Sequence, residues 1–272
     1  MAGYRLIYRH RLWIRITHWI NLLCMTVLLM SGLQIFNAHP ALYWGSRSQF
    51  NDSILSIGEG KNAKGHAIGT TTFDGHTFNT TGFLGLSGDP ADENSANAFP
   101  AWATLPSSQW LAMARRWHFF FAWLFVINGA IYLLLTILSR HLWRDLLPAR
   151  WDFAHIGRSI WDHMRLRFPK GEEAKRYNVL QKLTYLAVLF GLGPLMVLAG
   201  LTMSPRLDAS FPFLLTLFDE RQSARTIHFI CAFAIFGFVF VHVAMVLVSG
   251  VWNNMRSMIT GWYAIRGSNE NT

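Results

Sequence analysis

Four stretches of this sequence are long and apolar enough to cross a lipid bilayer as helices. Crossing a hydrocarbon core of about 30 Å takes about 20 mostly apolar residues in a helix. The stretches cover residues 16–36, 117–138, 183–203 and 227–252, and the first two contain no Lys, Arg, Asp or Glu. We therefore predict an all-α protein, an integral membrane bundle of four transmembrane helices that forms one domain over residues 1–272.

The composition agrees with this fold class. Charged residues make up only 14% of the chain and hydrophobic residues 52%, whereas soluble domains contain roughly 25% charged residues. The formal net charge is +9, but the basic residues stand between the apolar stretches, so we expect no nucleic-acid partner. Cys24 and Cys231 lie inside apolar stretches and outside any CxxCH motif, which excludes covalent c-type haem attachment.

The distribution of Lys and Arg predicts the orientation in the membrane. Residues 1–15 contain four Arg and no acid, and residues 139–182 contain ten basic residues against five acids. Residues 37–109 contain three basic residues against six acids. Because cytoplasmic loops carry the excess of Lys and Arg, we predict a multi-pass protein of the bacterial inner membrane with both termini in the cytoplasm. The long loop 37–109 then lies on the outer, periplasmic side.

Three local patterns predict structure in and between the spans. The sequence TTTF-DG-HTFNTT at residues 70–81 predicts a β-hairpin, because Asp74-Gly75 suits a type I′ turn. Residues 151–168 place aromatic and basic residues at helical spacings, which predicts an amphipathic helix at the cytoplasmic membrane surface. The sequence GLGP at residues 191–194 predicts a kink in the third span.

Histidines inside the apolar stretches are the clearest candidates for function, since ionisable residues in a span are costly and usually face the bundle interior. There are four of them, His18, His118, His228 and His242. The predicted topology places His18 and His242 towards the cytoplasm, and His118 and His228 towards the outer face. His228 and His242 are fourteen residues apart, which puts them on nearly the same helix face about 21 Å apart.

Two facing imidazoles at each of two depths are what two six-coordinate haem irons require. We therefore predict an inner haem iron between His18 and His242 and an outer one between His118 and His228. One alternative is that each histidine only forms hydrogen bonds to a neighbouring helix. Zinc or copper fits less well, because the two sites lack Asp, Glu or a cysteine cluster.

An arginine precedes three of these histidines by three residues, one helical turn nearer the membrane surface. These are Arg15, Arg115 and Arg225, and we predict that they bind haem propionates, with an interfacial anchor as the alternative role. Gly32, Gly129, Gly200 and Gly237 lie in the spans and would leave room for a macrocycle or for close helix packing. His155 and His163 are weaker candidates for protonating a quinone.

The motifs around the histidines resemble those of the bacterial di-haem cytochrome b561 superfamily. They are RITHWIN at residues 15–21, RRWHFFFAWLFVINGAIYLL at 115–134, and RTIHF and VFVHV at 225–229 and 239–243. That superfamily includes the b-type subunits of nickel-iron hydrogenases, formate dehydrogenases and thiosulfate reductases. The resemblance implies two haem b groups, the inner one on His18 and His242 and the outer one on His118 and His228.

The resemblance also implies electron transfer between a membrane quinone and a redox partner at the outer face. The sequences SGLQIFNAHPALYWG and QSARTIHF resemble those of superfamily members that are thought to serve a periplasmic molybdopterin oxidoreductase. Two other functions stay open from the sequence. One is a stand-alone quinone oxidoreductase such as a superoxide oxidase, and the other is a haem-free membrane transporter or anchor.

Overall fold

The computed structural model describes residues 4–88, 95–107, 109–149, 152–153, 156–165 and 178–266. The chain divides into two compact units. Unit 1 comprises Met1–Ile20, Ile127–Pro194 and Phe233–Thr272, and unit 2 comprises Asn21–Val126 and Leu195–Ala232. The expectation of a single domain over residues 1–272 stays a prediction.

Four long apolar helical segments confirm the predicted fold class. Each is long and apolar enough to cross a membrane: Leu12–Asn37, Leu111–Leu138, Val179–Thr202 and Glu220–Val248. The α-helices in chain order are α1 (Leu12–Asn37), α2 (Leu111–Leu138), α3 (Ile156–Met164), α4 (Val179–Leu186), α5 (Gly193–Thr202), α6 (Pro205–Ser210), α7 (Phe213–Leu217), α8 (Glu220–Val248) and α9 (Val251–Thr260).

The third span is not a regular α-helix. A π-helical segment, Ala187–Leu192, lies between α4 and α5, directly before Gly193 and Pro194. Proline lacks a backbone N–H and its ring crowds the preceding turn, and a wider helical turn relieves both constraints. The structure therefore has a π-helical segment beside the GLGP sequence, and the kink itself stays a prediction.

The fourth span ends earlier than its apolar pattern predicts. Helix α8 stops at Val248, and Gly250 adopts a φ of 112° before α9 begins at Val251. This left-handed conformation is open to glycine and rarely to other residues. The predicted end at residue 252 ran past this break because the apolar sequence continues through it.

The connection from α2 to α4 contains short helical pieces. A π-helical segment, Leu142–Leu146, follows α2, and α3 covers the middle of the predicted amphipathic segment 151–168. The flanks of that segment include residues outside the described part of the chain. Helix α4 starts with a capping box between Asn178 and Gln181, and the ammonium of Lys182 lies 2.8 Å from the carboxylate of Asp152.

Two small sheets accompany the helices. In unit 1, strand β1 (Tyr4–Tyr8) pairs antiparallel with β6 (Trp262–Arg266), so the two ends of the described chain lie side by side. In unit 2, strands β2 (Ala41–Leu42), β3 (Leu55–Lys61), β4 (Ala67–Phe73) and β5 (His76–Asn79) form an antiparallel sheet in that order.

The predicted hairpin is confirmed. Strands β4 and β5 pair from Phe73 with His76 to Thr70 with Asn79. Asp74 and Gly75 have φ values of 48° and 77°, as a type I′ turn requires at its two central positions. A buried cluster joins this sheet to α1, and it comprises Phe36, Leu42, Ile57, Ala98 and Phe99.

Candidate functional site

In unit 2, His118 on α2 and His228 on α8 face each other. Their ring centroids are 6.2 Å apart, and the ring planes are inclined by 63°. In unit 1, His18 on α1 and His242 on α8 form a second pair with nearly the same geometry, at 6.3 Å and 62°. The structure thus brings together both histidine pairs that the sequence predicts, and all four rings are half-buried.

The ring separation fits one metal ion held between the two rings of each pair. A bond from a metal to an imidazole nitrogen is about 2.0 Å long. The nitrogen lies about 1.1 Å from its ring centroid, given ring bonds of about 1.33 Å. An ion midway between two ligating rings therefore requires centroids about 6.2 Å apart. Each pair can hold one ion in this way, while ligation itself stays a prediction.

Hydrogen bonds in unit 2 orient both imidazoles for such a role. Nδ1 of His228 lies 2.9 Å from the backbone carbonyl of Met196, which can only accept a hydrogen bond. The proton is therefore on Nδ1, and Nε2 keeps its lone pair. Ligating histidines in proteins commonly use their second nitrogen in this way.

His118 is oriented through a serine. Its Nδ1 lies 3.0 Å from the hydroxyl oxygen of Ser31. That hydroxyl donates its single proton to the carbonyl of Val27 at 2.6 Å, so its oxygen accepts from His118. Both imidazoles of this pair therefore expose Nε2 as the unprotonated nitrogen.

Two of the predicted glycines lie against these rings. A Cβ on Gly200 would meet Cε1 of His228 at 3.3 Å, and a Cβ on Gly32 would meet Cε1 of His118 at 3.5 Å. A Cβ on Gly129 or Gly237 would meet nothing within 4 Å. Gly200 therefore allows the close approach of His228, whereas a Cβ on Gly32 would make only an ordinary contact with His118, and Gly129 and Gly237 border open space.

The inner pair in unit 1 is surrounded by aromatic rings. The ring of Phe238 stacks on His242 at a centroid distance of 6.0 Å, and Trp19 meets His18 edge-on at 5.6 Å. Asn128 donates to the backbone carbonyl of Thr17 at 2.9 Å, which ties α2 to α1 beside His18. These contacts fix the helices that carry the pair.

The three arginines occupy different surroundings. Arg15 donates to the carbonyl of Ile259, and its Nε is buried without a hydrogen-bond partner among the described residues. Arg115 is exposed, with its guanidinium 5.7 Å from the Phe119 ring centroid. The orphaned Nε of Arg15 is free to bind a carboxylate. For all three arginines, contact with a haem propionate stays a prediction.

Arg225 connects α8 to the loop after α1. Its guanidinium donates to the carbonyl of His39 and lies 5.6 Å from the ring centroid of Phe36. Burial, followed by the positive charge of Arg225, lowers the pKa of His39. Thr226 donates to the carbonyl of Tyr43 at 2.6 Å, so the start of α8 is held to this loop at two consecutive residues.

Sequence reasoning did not identify the groups that orient the imidazoles. Nothing in the sequence of an apolar helix distinguishes Ser31 or the carbonyl of Met196 as a hydrogen-bonding partner of a histidine. One signal was available for Gly32, which stands fourteen residues after His18. The same interval separates His228 from His242, and it places two residues on nearly the same helix face. His155 lies outside the described residues, and His163 belongs to α3.

Comparison with known proteins adds independent findings. The family described as "Prokaryotic cytochrome b561" matches residues 9–261. A relative from Azospira oryzae, named "Putative protein-methionine-sulfoxide reductase subunit YedZ1", is 27% identical over 252 residues, covering 93% of this chain and 96% of the relative. No solved structure matches the chain. The family match spans all four transmembrane helices and both histidine pairs.

Proposed function

This chain belongs to the prokaryotic cytochrome b561 family, and from this premise we propose that it is a di-haem b-type cytochrome that transfers electrons between the quinone pool and a periplasmic redox partner. The observation that carries the proposal is the repeated histidine geometry. The two pairs of rings, at 6.2 Å and 6.3 Å, each have the separation that one metal ion held between two imidazoles would require.

The haem groups supply one-electron chemistry when bound. The protein contributes ligation and orientation. His118 and His228 present Nε2 because Ser31 and Met196 engage Nδ1, and this hydrogen bonding raises the basicity of the ligating nitrogen. With a haem bound, stronger donation from the nitrogen would favour the oxidised state, so these two contacts would tune the potential of the outer site.

The arginines are proposed to bind carboxylates at the edge of each site. Arg15 would serve the inner haem, and Arg115 and Arg225 the outer one. Support comes from the orphaned Nε of Arg15 and from the exposure of Arg115, since a guanidinium binds a carboxylate through two parallel hydrogen bonds. Arg225 would have to share its guanidinium between a propionate and the carbonyl of His39.

The proposed partner is a periplasmic oxidoreductase of the molybdopterin type. The relative from Azospira oryzae carries the name of a reductase subunit, which supports a subunit role for this chain. The loop after α1 offers a docking surface, because several of its large aromatic side chains are more than half exposed: Trp44, Phe50, Phe73, Phe78, Phe83 and Trp102. Aromatic residues are enriched in protein interfaces.

Haem content of the purified protein tests the ligand assignment. We expect two b-type haems per chain by pyridine haemochrome analysis in the unmodified protein. The variants His118→Ala and His228→Ala should each lose one haem, and His18→Ala and His242→Ala should each lose the other. His76→Ala changes an exposed histidine on β5 and should keep both haems.

Two other outcomes would point elsewhere. A colourless protein with intact helical content by circular dichroism would favour a haem-free transporter or anchor. A di-haem protein that purifies without a second subunit and oxidises superoxide while reducing quinone would favour the stand-alone quinone oxidoreductase. Full haem retention in His228→Ala and His242→Ala would contradict the ligand assignment.

A further inference from the structure

An open surface pocket with a volume of about 640 Å³ lies where α2 ends, and all its lining residues belong to unit 1. Ile137 and Leu138 form its apolar side at the last turn of α2, and Arg140, Trp143 and Arg144 form its polar side in the segment that follows. The pocket is remote in sequence from the four histidines. It therefore calls for a role separate from cofactor ligation.

The backbone brings the two arginines of this pocket together. Arg140 adopts a φ of 55°, a left-handed conformation that residues with a side chain rarely take. The chain then enters the π-helical segment Leu142–Leu146, and the amide of Arg144 donates to the carbonyl of Arg140 at 3.1 Å. This hydrogen bond keeps the backbones of Arg140 and Arg144 one helical turn apart.

Neither guanidinium has a counter-ion in the part of the chain that the structure describes. Among the residues that the structure describes, the side chains of Arg140 and Arg144 make no ion pair or hydrogen bond, and both are exposed. The nearest acid in sequence, Asp145, is engaged by Nδ1 of His141 at 2.6 Å. The pocket thus presents two unpaired positive charges beside exposed apolar side chains.

We propose that this pocket binds the headgroup of an anionic phospholipid. The phosphate would lie between the guanidinium groups of Arg140 and Arg144, which bind phosphate oxygens through paired hydrogen bonds. The acyl chains would run along Ile137 and Leu138, which belong to a helix that crosses the bilayer. Trp143 is 56% exposed and suits the level of the headgroups, where tryptophan is enriched.

Charge complementarity favours a lipid over a soluble anion. Basic pockets at the ends of transmembrane helices bind acidic headgroups, and the apolar half of this pocket offers nothing to a free phosphate ion. The proposal is independent of the haem assignment, because none of its residues contacts a histidine pair.

Native mass spectrometry of the detergent-purified chain tests this inference. The probes are phosphatidylglycerol and phosphatidylcholine with identical acyl chains, added at equal concentration. We expect the unmodified protein to retain phosphatidylglycerol at least about tenfold more strongly, given two Arg contacts with the headgroup. The variant R140G/R144Q should lose this preference. Glycine tolerates the φ of position 140, so this variant removes the charge without straining the fold.

A matched control removes two positive charges elsewhere. The variant R116Q/R206Q changes two exposed arginines outside the pocket and should keep the preference for phosphatidylglycerol. If it loses the preference as fully as R140G/R144Q does, the effect reflects net charge and the site assignment is overturned. Displacement of the lipid by millimolar inorganic phosphate would also overturn it, in favour of a site for small anions.

Discussion

Gly200 and Gly32 both border a proposed haem ligand, but they leave different amounts of space. The Cβ of an alanine at Gly200 would lie 3.3 Å from Cε1 of His228, closer than ordinary van der Waals contact, whereas at Gly32 the distance to His118 would be 3.5 Å. We expect Gly200→Ala to displace the His228 ring by a few tenths of an ångström. Gly32→Ala should leave His118 in place.

A potentiometric titration of the haem absorbance distinguishes these two variants. Gly200→Ala should shift the midpoint potential of one haem and leave the other unchanged, because strained ligation alters the iron environment. Gly32→Ala serves as the control and should titrate like the unmodified protein. Equal shifts in both variants would mean that the glycines act through helix packing and not through the ring contact.

His10 is buried, with 8% of its surface exposed, and its Nδ1 has no hydrogen-bond partner among the described residues. Burial is the main cause that lowers its pKa from 6.5 to about 4, and nearby positive charge adds to it, from Arg9, His18, His141 and Arg15. The unfolded chain therefore binds a proton at a pH where the folded chain does not. Between pH 6.5 and about 4, the free energy of unfolding should decrease as the pH falls, by up to about 3 kcal/mol.

Thermal unfolding of the detergent-solubilised protein at pH 7 and pH 5 measures this effect. The variant His10→Gln removes the titrating group and should lose less stability over this interval than the unmodified chain does. His76→Gln changes an exposed histidine on β5 and should behave like the unmodified chain. An identical loss in His10→Gln would show that other groups cause the acid sensitivity.

The role of a single residue could be predicted from the sequence only where its position in an apolar span is energetically costly. Histidines in apolar spans are conspicuous, and all four come together in pairs in the structure. His10 precedes the first apolar stretch, and nothing in the local sequence indicates that it is buried. It is buried because strands β1 and β6 bring Gly261 next to it, where the amide of His10 donates to the carbonyl of Gly261 at 3.4 Å. That pairing joins opposite ends of the described chain, so the sequence around His10 does not indicate it.

Gly69 in strand β4 is where the turn after β5 packs onto the sheet. Its amide donates to the hydroxyl of Thr81 at 2.9 Å, and its carbonyl accepts from the amide of Thr80 at 2.8 Å. A Cβ on Gly69 would lie 2.2 Å from the carbonyl oxygen of Leu84, so the turn would have to move. We expect Gly69→Ala to destabilise the loop by about 1–3 kcal/mol.

Limited proteolysis of the loop between α1 and α2 measures this change. Cleavage within residues 37–109 should be faster in Gly69→Ala than in the unmodified protein. Gly58 in strand β3 provides the matched control, because a Cβ there would meet nothing within 4 Å. If Gly58→Ala is cleaved as fast as Gly69→Ala, the close approach of the turn is not what stabilises the loop.

At the level of elements, local patterns were sufficient where one short segment determines the structure. Asp74-Gly75 predicted the hairpin. GLGP predicted a kink, and the structure has a π-helical segment at this place. Strand β2 is two residues long and pairs with a strand thirteen residues further on, so neither its length nor its composition reveals it. The break at Gly250 was missed because the apolar pattern of the fourth span continues beyond it.

Few residues in the apolar parts of the four spans are buried within the protein. In the most apolar part of each span, the share of residues buried within the protein is 28% in the first span, 11% in the second, 6% in the third and 11% in the fourth. The remaining apolar surface requires lipid, a cofactor or a partner subunit, because exposing it to water would be costly. With four spans, we expect both termini on one side of the membrane and the loop 37–109 on the other.

Cysteine labelling determines which side is which. We expect the loop to be periplasmic, because residues 1–15 contain four Arg and no acid, whereas residues 37–109 contain three basic residues against six acids. The variants His76→Cys and Tyr4→Cys place a thiol at exposed positions on β5 and β1. A membrane-impermeant maleimide should label His76→Cys in intact spheroplasts, and Tyr4→Cys only after the inner membrane is opened. Cys24 and Cys231 are buried, so the unmodified chain should stay unlabelled. The reverse labelling pattern would place the loop 37–109, and with it the outer histidine pair, towards the cytoplasm.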